Sequence, residues 1–301
     1  IRDIQCMALS PVEDPKTKKI AVLSRDNHLS IIHIDPSNIS DPQFQVQALK
    51  NIEDEEEPRS LYWCGDTALV IVSEGRLVLV TLNGESKKIV HRSKGYVLIP
   101  ELDCMRIFSD EKCEILKIVP DTYANIFLPT SRAKSADLYN AYLEHSERNI
   151  AAETSIIEDK KGLEEGVKNL LDAAYFETNP EEQKVLLSAA GFGKSFLSKS
   201  NSEFKFDYFA DVCKNLRVVN SLRSSSIARI ITYNQFIYLD SIPKFFIGLL
   251  VKYQLFYLAN EIARFLNYDS EIISHIYTEW ACLKIQHNPH DENLAEKNFV
   301  R

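Results

Sequence analysis

Near residue 120 the hydrophobic pattern of the chain switches from short β-type runs to helical stripes, so the polypeptide must build two kinds of layer. Before the switch, Ile20–Leu23, Leu29–Ile34, Thr67–Val72 and Arg76–Leu82 are rich in β-branched residues. Turn signals bound them, such as Arg25-Asp26-Asn27 and Asn83-Gly84. In Arg76-Leu77-Val78-Leu79-Val80 the apolar run is unbroken, which predicts a strand covered on both faces. The strand signals recur every ~8–12 residues, the rhythm of antiparallel meanders such as propeller blades or sandwiches. A closed propeller needs several blades of about 40 residues each, so a stretch of this length supplies only part of one.

After Pro120 the strand pattern stops. Asn179-Pro180-Glu181-Glu182 is a helix start, with an Asn cap, Pro at the first position and a carboxylate three residues after the cap. Val185, Leu186, Ala189, Ala190, Phe196 and Leu197 follow as one stripe. Thr232-Tyr233-Asn234-Gln235 reads as a capping box. Leu255, Leu258, Ile262, Phe265 and Leu266 form a further stripe, and Ile272, Ile273, Ile276 and Trp280 the next. Helices of about 12–20 residues with short connectors suit stacked hairpins, and a compact bundle fits the same pattern. The expected fold class is therefore α+β and multidomain, with residues 1–122 strand-rich and 123–301 helical.

Composition excludes some functions. The 301 residues carry a net charge of −8, which argues against broad nucleic-acid binding. The longest apolar cluster, Phe245 to Val251, is flanked by Lys244 and Lys252 and is too short to span a bilayer. The first residue is Ile1, without a basic region and apolar core after it, and is expected to be a trimmed end rather than a secretory signal. Cys6, Cys64, Cys104, Cys113, Cys213 and Cys282 include no Cys-x-x-Cys pair and are expected to be free, mostly buried thiols.

The chemical motifs are weak. Gly191-Phe192-Gly193-Lys194-Ser195 ends like a phosphate loop, but Ser188 stands where the first Gly is required, and a helix precedes it where a strand is needed. Two glycines permitting close helix packing is the better reading. His28 with His33, and His287 with His290, lack a third metal ligand. His145-Ser146 has no acid or oxyanion hole assigned to it. Glu53-Asp54-Glu55-Glu56-Glu57 reads as a solvated loop, or else a docking site for a basic partner. Lys16, Lys18 and Lys19 are too few for a lipid site. Phe204, Phe206, Tyr208 and Phe209 have the spacing of core residues. No catalytic, cofactor-binding or metal residue is assigned.

Several strings nevertheless resemble the vacuolar protein sorting-associated protein 16 family. They are Tyr62-Trp63-Cys64 followed by Leu69–Val72, then Tyr96-Val97-Leu98-Ile99-Pro100-Glu101-Leu102-Asp103 with Arg106-Ile107-Phe108-Ser109. Leu186-Leu187-Ser188-Ala189-Ala190-Gly191-Phe192-Gly193-Lys194, Cys213-Lys214-Asn215-Leu216-Arg217-Val218-Val219-Asn220, Thr232-Tyr233-Asn234-Gln235 and Trp280-Ala281-Cys282 continue the series in order. Residues 1–55 contribute little. The resemblance implies a partial β-propeller of antiparallel blades followed by an α-solenoid of helical hairpins. Residues 1–122 would be the C-terminal blades and 123–301 the start of the solenoid. It further implies a non-catalytic, cofactor-free scaffold subunit of the HOPS and CORVET membrane-tethering complexes, acting in vesicle fusion and intracellular protein transport. Such a subunit would be cytoplasmic and peripheral on endosome and vacuole or lysosome membranes. Its partners would be other tethering subunits and a Sec/Munc-type SNARE-binding protein docking mostly beyond these residues, with Rab and SNARE proteins associated indirectly. Another coat-type trafficking scaffold of the same two-part build, clathrin-like or nuclear-pore-like, is the alternative.

Overall fold

The computed structural model describes residues 3–11, 18–34, 44–51, 58–90, 95–146, 162–197, 206–225 and 230–287. The chain divides into two compact units, Ile1–Val119 and Pro120–Arg301. Together they make an α+β chain: the first unit is built of strands and the second of helices.

Among the described residues, the first unit contains three antiparallel meander sheets. Sheet one is β1 (Ile4–Leu9), β2 (Lys18–Ser24), β3 (His28–Ile34) and β4 (Phe44–Asn51), in that order. Sheet two is β5 (Ser60–Cys64), β6 (Ala68–Ser73), β7 (Arg76–Thr81) and β8 (Ser86–Val90). Sheet three is β9 (Tyr96–Pro100), β10 (Met105–Ser109) and β11 (Cys113–Leu116), with β10 in the middle. Both predicted turns form. Asn27, at φ 58°, donates its amide to the Ser24 carbonyl. Gly84, at φ 84°, donates its amide to Thr81, a left-handed conformation that glycine adopts without a Cβ clash.

The alternating side chains of each strand decide how the sheets pack. One face of sheet two sends Leu61, Trp63, Leu69, Ile71, Val78 and Val80 into a core shared with Ala21, Leu23, Leu29 and Ile31 of sheet one. Its other face sends Val70, Leu77 and Leu79 into a core shared with Met105 and Ile107 of sheet three. β6 and β7 are therefore covered on both faces, as the unbroken apolar run of β7 predicts. Trp63 also fastens β5 to β1, because its indole Nε1–H donates to the Ala8 carbonyl at 2.9 Å.

The second unit runs α1 (Asp121–Phe127), α2 (Lys134–Ser146), α3 (Leu163–Phe176), α4 (Pro180–Ser195), α5 (Phe206–Arg223), α6 (Tyr233–Asp240), α7 (Pro243–Lys252), α8 (Phe256–Phe265) and α9 (Ser270–His287). The two predicted helix starts are present. Asn179 Oδ1 accepts the Glu181 amide, with Pro180 at the first helical position. Thr232 and Gln235 form the reciprocal capping box. One apolar core links α1 through α9. Along α4, Leu186, Ala189 and Ala190 are buried, and along α9, Ile272 and Ile276 are buried, as the stripes predict. On α8 the predicted stripe holds except for Phe265, which is exposed: Ile262 is buried, Leu255, Leu258 and Leu266 pack against the core, and Phe256, Ala259, Asn260 and Ala263 are buried beside them.

Candidate functional site

The most suggestive sequence motif, Gly191 to Ser195, lies inside α4 as helix. A Cβ on Gly193 would stand 2.9 Å from Val167 Cγ2 and 3.0 Å from Leu138 Cδ1. On Gly166 it would meet the same Leu138 Cδ1 at 3.0 Å and the Lys134 carbonyl carbon at 3.1 Å. The two glycines are thus the contact points through which α2, α3 and α4 close on one another. The Lys194 ammonium sits 4.5 Å over the Phe209 ring, and the Ser195 hydroxyl donates to the Phe192 carbonyl at 2.7 Å. A phosphate loop needs amides free to point at an anion. Here the backbone is wound into a helix and both side chains are engaged locally.

A paired substitution tests this joint. Gly193→Ala gains about 1 kcal/mol of helix propensity but forces overpacking against buried Val167 and Leu138, which costs about 1–3 kcal/mol. The net expected effect on the 301-residue chain is destabilisation. Gly248→Ala, in α7 with nothing within 4 Å of its added Cβ, should stabilise. Thermal unfolding of both variants checks the pair, and stabilisation by Gly193→Ala would show that the joint is loose.

A polar chain joins five elements of the helical unit. The Tyr123 hydroxyl of α1 donates to Glu177 Oε2 at 2.7 Å, just after α3. Glu177 Oε1 accepts the Thr178 and Asn179 amides at 2.7 and 2.8 Å. Gln183 of α4, buried, donates Nε2 to the Glu177 carbonyl at 2.7 Å and accepts from Asn220 of α5 at 2.8 Å. Arg223 closes the chain, donating to Asn220 Oδ1 at 3.3 Å and to the Ile231 carbonyl before α6 at 2.9 Å. Burial raises the Glu177 carboxyl, but the Asn179 amide, the Tyr123 hydroxyl and the Thr178 amide outweigh it and hold it below its ordinary value. Tyr123 is pushed up to about 12 by burial and by its bond to that carboxylate. Because the folded carboxyl titrates lower than the unfolded one, Glu177 contributes stability above the unfolded carboxylate pKa, and this is lost as pH falls through the folded value. Tyr123→Phe should flatten the acid limb of helical-unit stability while leaving neutral spectra unchanged. An unaltered acid limb, followed by circular dichroism, would show that the hydroxyl does not stabilise the carboxylate.

Arg106 and Glu101 form a buried ion pair in the strand unit. Arg106, only 1% exposed, makes a two-pronged contact with Glu101: Nε to Oε1 at 2.6 Å and Nη2 to Oε2 at 2.9 Å. Its Nη1 also reaches Cys113 Sγ at 3.7 Å. Burial opposes the guanidinium charge, and the Glu101 bonds more than offset that opposition. Burial, with Asp103 and Glu101 beside it, pushes the Cys104 thiol far up. Lys117 pairs with Asp103 at 2.9 Å, tying the end of the strand unit to the turn before β10.

Other sequence candidates are scattered. His28 and His33 sit at opposite ends of β3. His145 stacks on Phe192 with ring centroids 5.0 Å apart, and the Ser146 hydroxyl donates to the Leu143 carbonyl, so neither faces the other as a nucleophile pair would. His287 ends α9, and His290 lies outside the described residues, as do the acidic block at 53–57, Lys16 and Phe204. Lys18 and Lys19 lie on β2, Tyr208 is exposed, and Phe209 packs on the helical core. All six cysteines are free, but the expectation that most are buried is corrected: Cys64 and Cys104 are buried, Cys6 and Cys213 are intermediate, and Cys113 and Cys282 are exposed. Among the described residues, no group of three His, Cys, Asp or Glu could hold a metal ion, and no helix is long and apolar enough to cross a membrane. Sequence reasoning missed the Glu101–Arg106 pair and the Gln183–Asn220–Arg223 chain. For the first, the only available signal was an opposite-charge pair five residues apart in the Pro100–Ser109 string.

The geometry defines a class of protein: stacked meander sheets and interlocked helices whose buried polar groups act as joints between elements. The family described as Vps16, N-terminal region, matches residues 10–207, about two thirds of the chain, and the chain belongs to the Vps16 family. It is 27% identical over 287 residues to Protein VACUOLELESS1 of Arabidopsis thaliana, covering 95% of this chain and 32% of that protein. It is 29% identical over 246 residues to a probable vacuolar protein sorting-associated protein 16 homolog of Schizosaccharomyces pombe, covering 81% of this chain and 28% of the relative. It is 26% identical over 303 residues to vacuolar protein sorting-associated protein 16 of Saccharomyces cerevisiae, covering 96% and 35%. The chain thus spans about a third of the length of these relatives.

Proposed function

We propose that this chain is part of a non-catalytic scaffold subunit of an endosomal and vacuolar membrane-tethering complex of the HOPS or CORVET kind. In this reading its strand unit is the C-terminal portion of a β-propeller and its helical unit the start of an α-solenoid. The observation that carries the reading is family membership across residues 10–207, joined by relatives whose names denote vacuolar protein sorting. The packing is consistent with it, because the Gly193-Lys194-Ser195 turn is a helix joint and the buried Gln183 side chain is bonded to Asn220 of the next helix. A scaffold works by presenting surface. Stacked hairpins extend that surface with contacts mainly between neighbours, and several modest contacts held on one frame raise effective concentration. The subunit would act in the cytoplasm, peripheral on endosome and vacuole or lysosome membranes, with its SNARE-binding partner docking mostly beyond these residues and Rab and SNARE proteins associated indirectly.

Affinity purification of the full-length protein from its source tests this. Recovery of other tethering subunits and a Sec/Munc-type SNARE-binding protein is the expected result. Recovery of clathrin-like or pore-type coat subunits instead would move the chain to another trafficking scaffold.

A further inference from the structure

We propose that Lys194, Lys214 and Arg217 form a docking surface on the helical unit for an acidic segment of another protein. This goes beyond the scaffold reading, which assigns no contact face, and does not depend on which complex the chain serves.

Two stretches apart in sequence meet here, the end of α4 and the middle of α5. Val212, Leu216 and Val219 turn one side of α5 into the helical core. On the side left over, Arg217 is exposed, and Cys213 and Lys214 are partly so. Lys194 reaches α5 from the end of α4, with its ammonium 4.5 Å over the ring of Phe209, one helical turn before Cys213. Lys214 lies 5.9 Å over the ring of Phe265, which is 42% exposed at the end of α8.

The charges gathered here are of one sign. Burial pushes the Cys213 thiol up, and the two charges acting against that are both cations, Arg217 and Lys194. Among the described residues, neither Lys214 nor Arg217 has a carboxylate within ion-pair distance. Asp211, three residues before Lys214, acts instead on Tyr233 of α6. Elsewhere on the helical unit, Lys168, Lys184 and Lys244 each meet a carboxylate at 3.3 Å or less. On a chain of net charge −8, a face that leaves Lys214 and Arg217 without carboxylates is suited to an anion from outside.

The chemistry of the partner follows from the same residues. A guanidinium offers a planar fork that matches a carboxylate. An ammonium resting on a ring keeps N–H donors pointing away from it. The rings also hold these cations in place, which lowers the cost of ordering them on binding. Phe265 adds an exposed apolar spot beside Lys214, suited to an apolar side chain between acidic ones. A lipid surface calls for about 4–8 clustered cations, more than the three of this surface. Nucleic acid is disfavoured by the net negative charge of the chain. The occupant that fits is an acidic, partly apolar polypeptide segment.

Zero-length carbodiimide cross-linking joins lysine amines directly to carboxylates, and tests the proposal on the full-length protein purified with its partners. Peptide mass spectrometry reads the links made by Lys194 and Lys214. The expected result is a link to an acidic stretch of a second polypeptide, weakening as ionic strength rises. Lys214→Glu with Arg217→Glu should cut the link at Lys194 at least about tenfold, with thermal unfolding unchanged. Lys252→Glu, a charge reversal at an exposed position of α7, should leave the link as it is. No link, links confined to the carboxylates of this chain itself, or equal loss in both variants would overturn the proposal. So would a double reversal that spares the link but abolishes sedimentation with vesicles of equal parts phosphatidylcholine and phosphatidylserine, which would mark a lipid surface. Absence of tethering subunits from the purification would count against the scaffold reading alone, since the link identifies its partner whatever that protein is.

Discussion

Glu101→Ala should destabilise the strand unit by about 3–5 kcal/mol, the range for leaving one member of a buried ion pair without its partner. Arg106 has no solvent to retreat to at 1% exposure, and its two bonds to Glu101 are the main compensation for its burial. Removing the carboxylate also takes away the acceptor of the Cys104 thiol. The double replacement Glu101→Leu with Arg106→Met should recover much of the loss, because a buried pair is often no better than an apolar pair of similar volume. Hydrogen exchange of the β9–β11 peptides is the suitable readout, since a chain of two units need not unfold in one step. If Glu101→Ala left exchange in those peptides unchanged, the pair would have to be reachable by water.

Trp63→Ala should cost the strand unit a similar amount, about 3–5 kcal/mol. The indole fills the core between sheets one and two, and its loss opens a cavity that the flanking strands can only partly close. It also leaves the Ala8 carbonyl without its donor. Trp63→Phe separates the two contributions. It keeps most of the packing and loses only the hydrogen bond, worth about 0.5–1.5 kcal/mol. Faster exchange in β1 as well as β5 is expected for the Ala variant, because the indole is what fastens those strands. An effect confined to β5 would show that β1 is held by other contacts.

Both predictions fall within strings through which the sequence resembles its family: Tyr62-Trp63-Cys64 in one case, and Tyr96 to Asp103 with Arg106 to Ser109 in the other. The strings were legible, but their role was not. An arginine in a strand reads as a surface residue, since charged side chains are rarely buried unless paired. Its partner five residues away becomes visible only when the β9–β10 hairpin sets Ile99 opposite Arg106. Likewise, Gln183 reads as an exposed helix residue. Its burial depends on Asn220, 37 residues downstream, arriving on α5.

What the sequence alone determined was whatever rests on local chemistry. The change from strand to helix near residue 120 follows from the spacing of apolar residues. The Asn179 and Thr232 helix starts follow from side chains that bond amides two or three residues away. The double coverage of β7 follows from its unbroken apolar run. Tertiary structure alone decided which faces meet. It turned Ala259 and Ala263 inward on α8 and left Phe265 exposed, left Cys113 and Cys282 exposed, and made Gly193 a contact point with Leu138 and Val167. The physical reason is that close packing depends on the shape of a neighbour contributed from elsewhere in the chain, whereas period and capping depend only on residues within a turn or two.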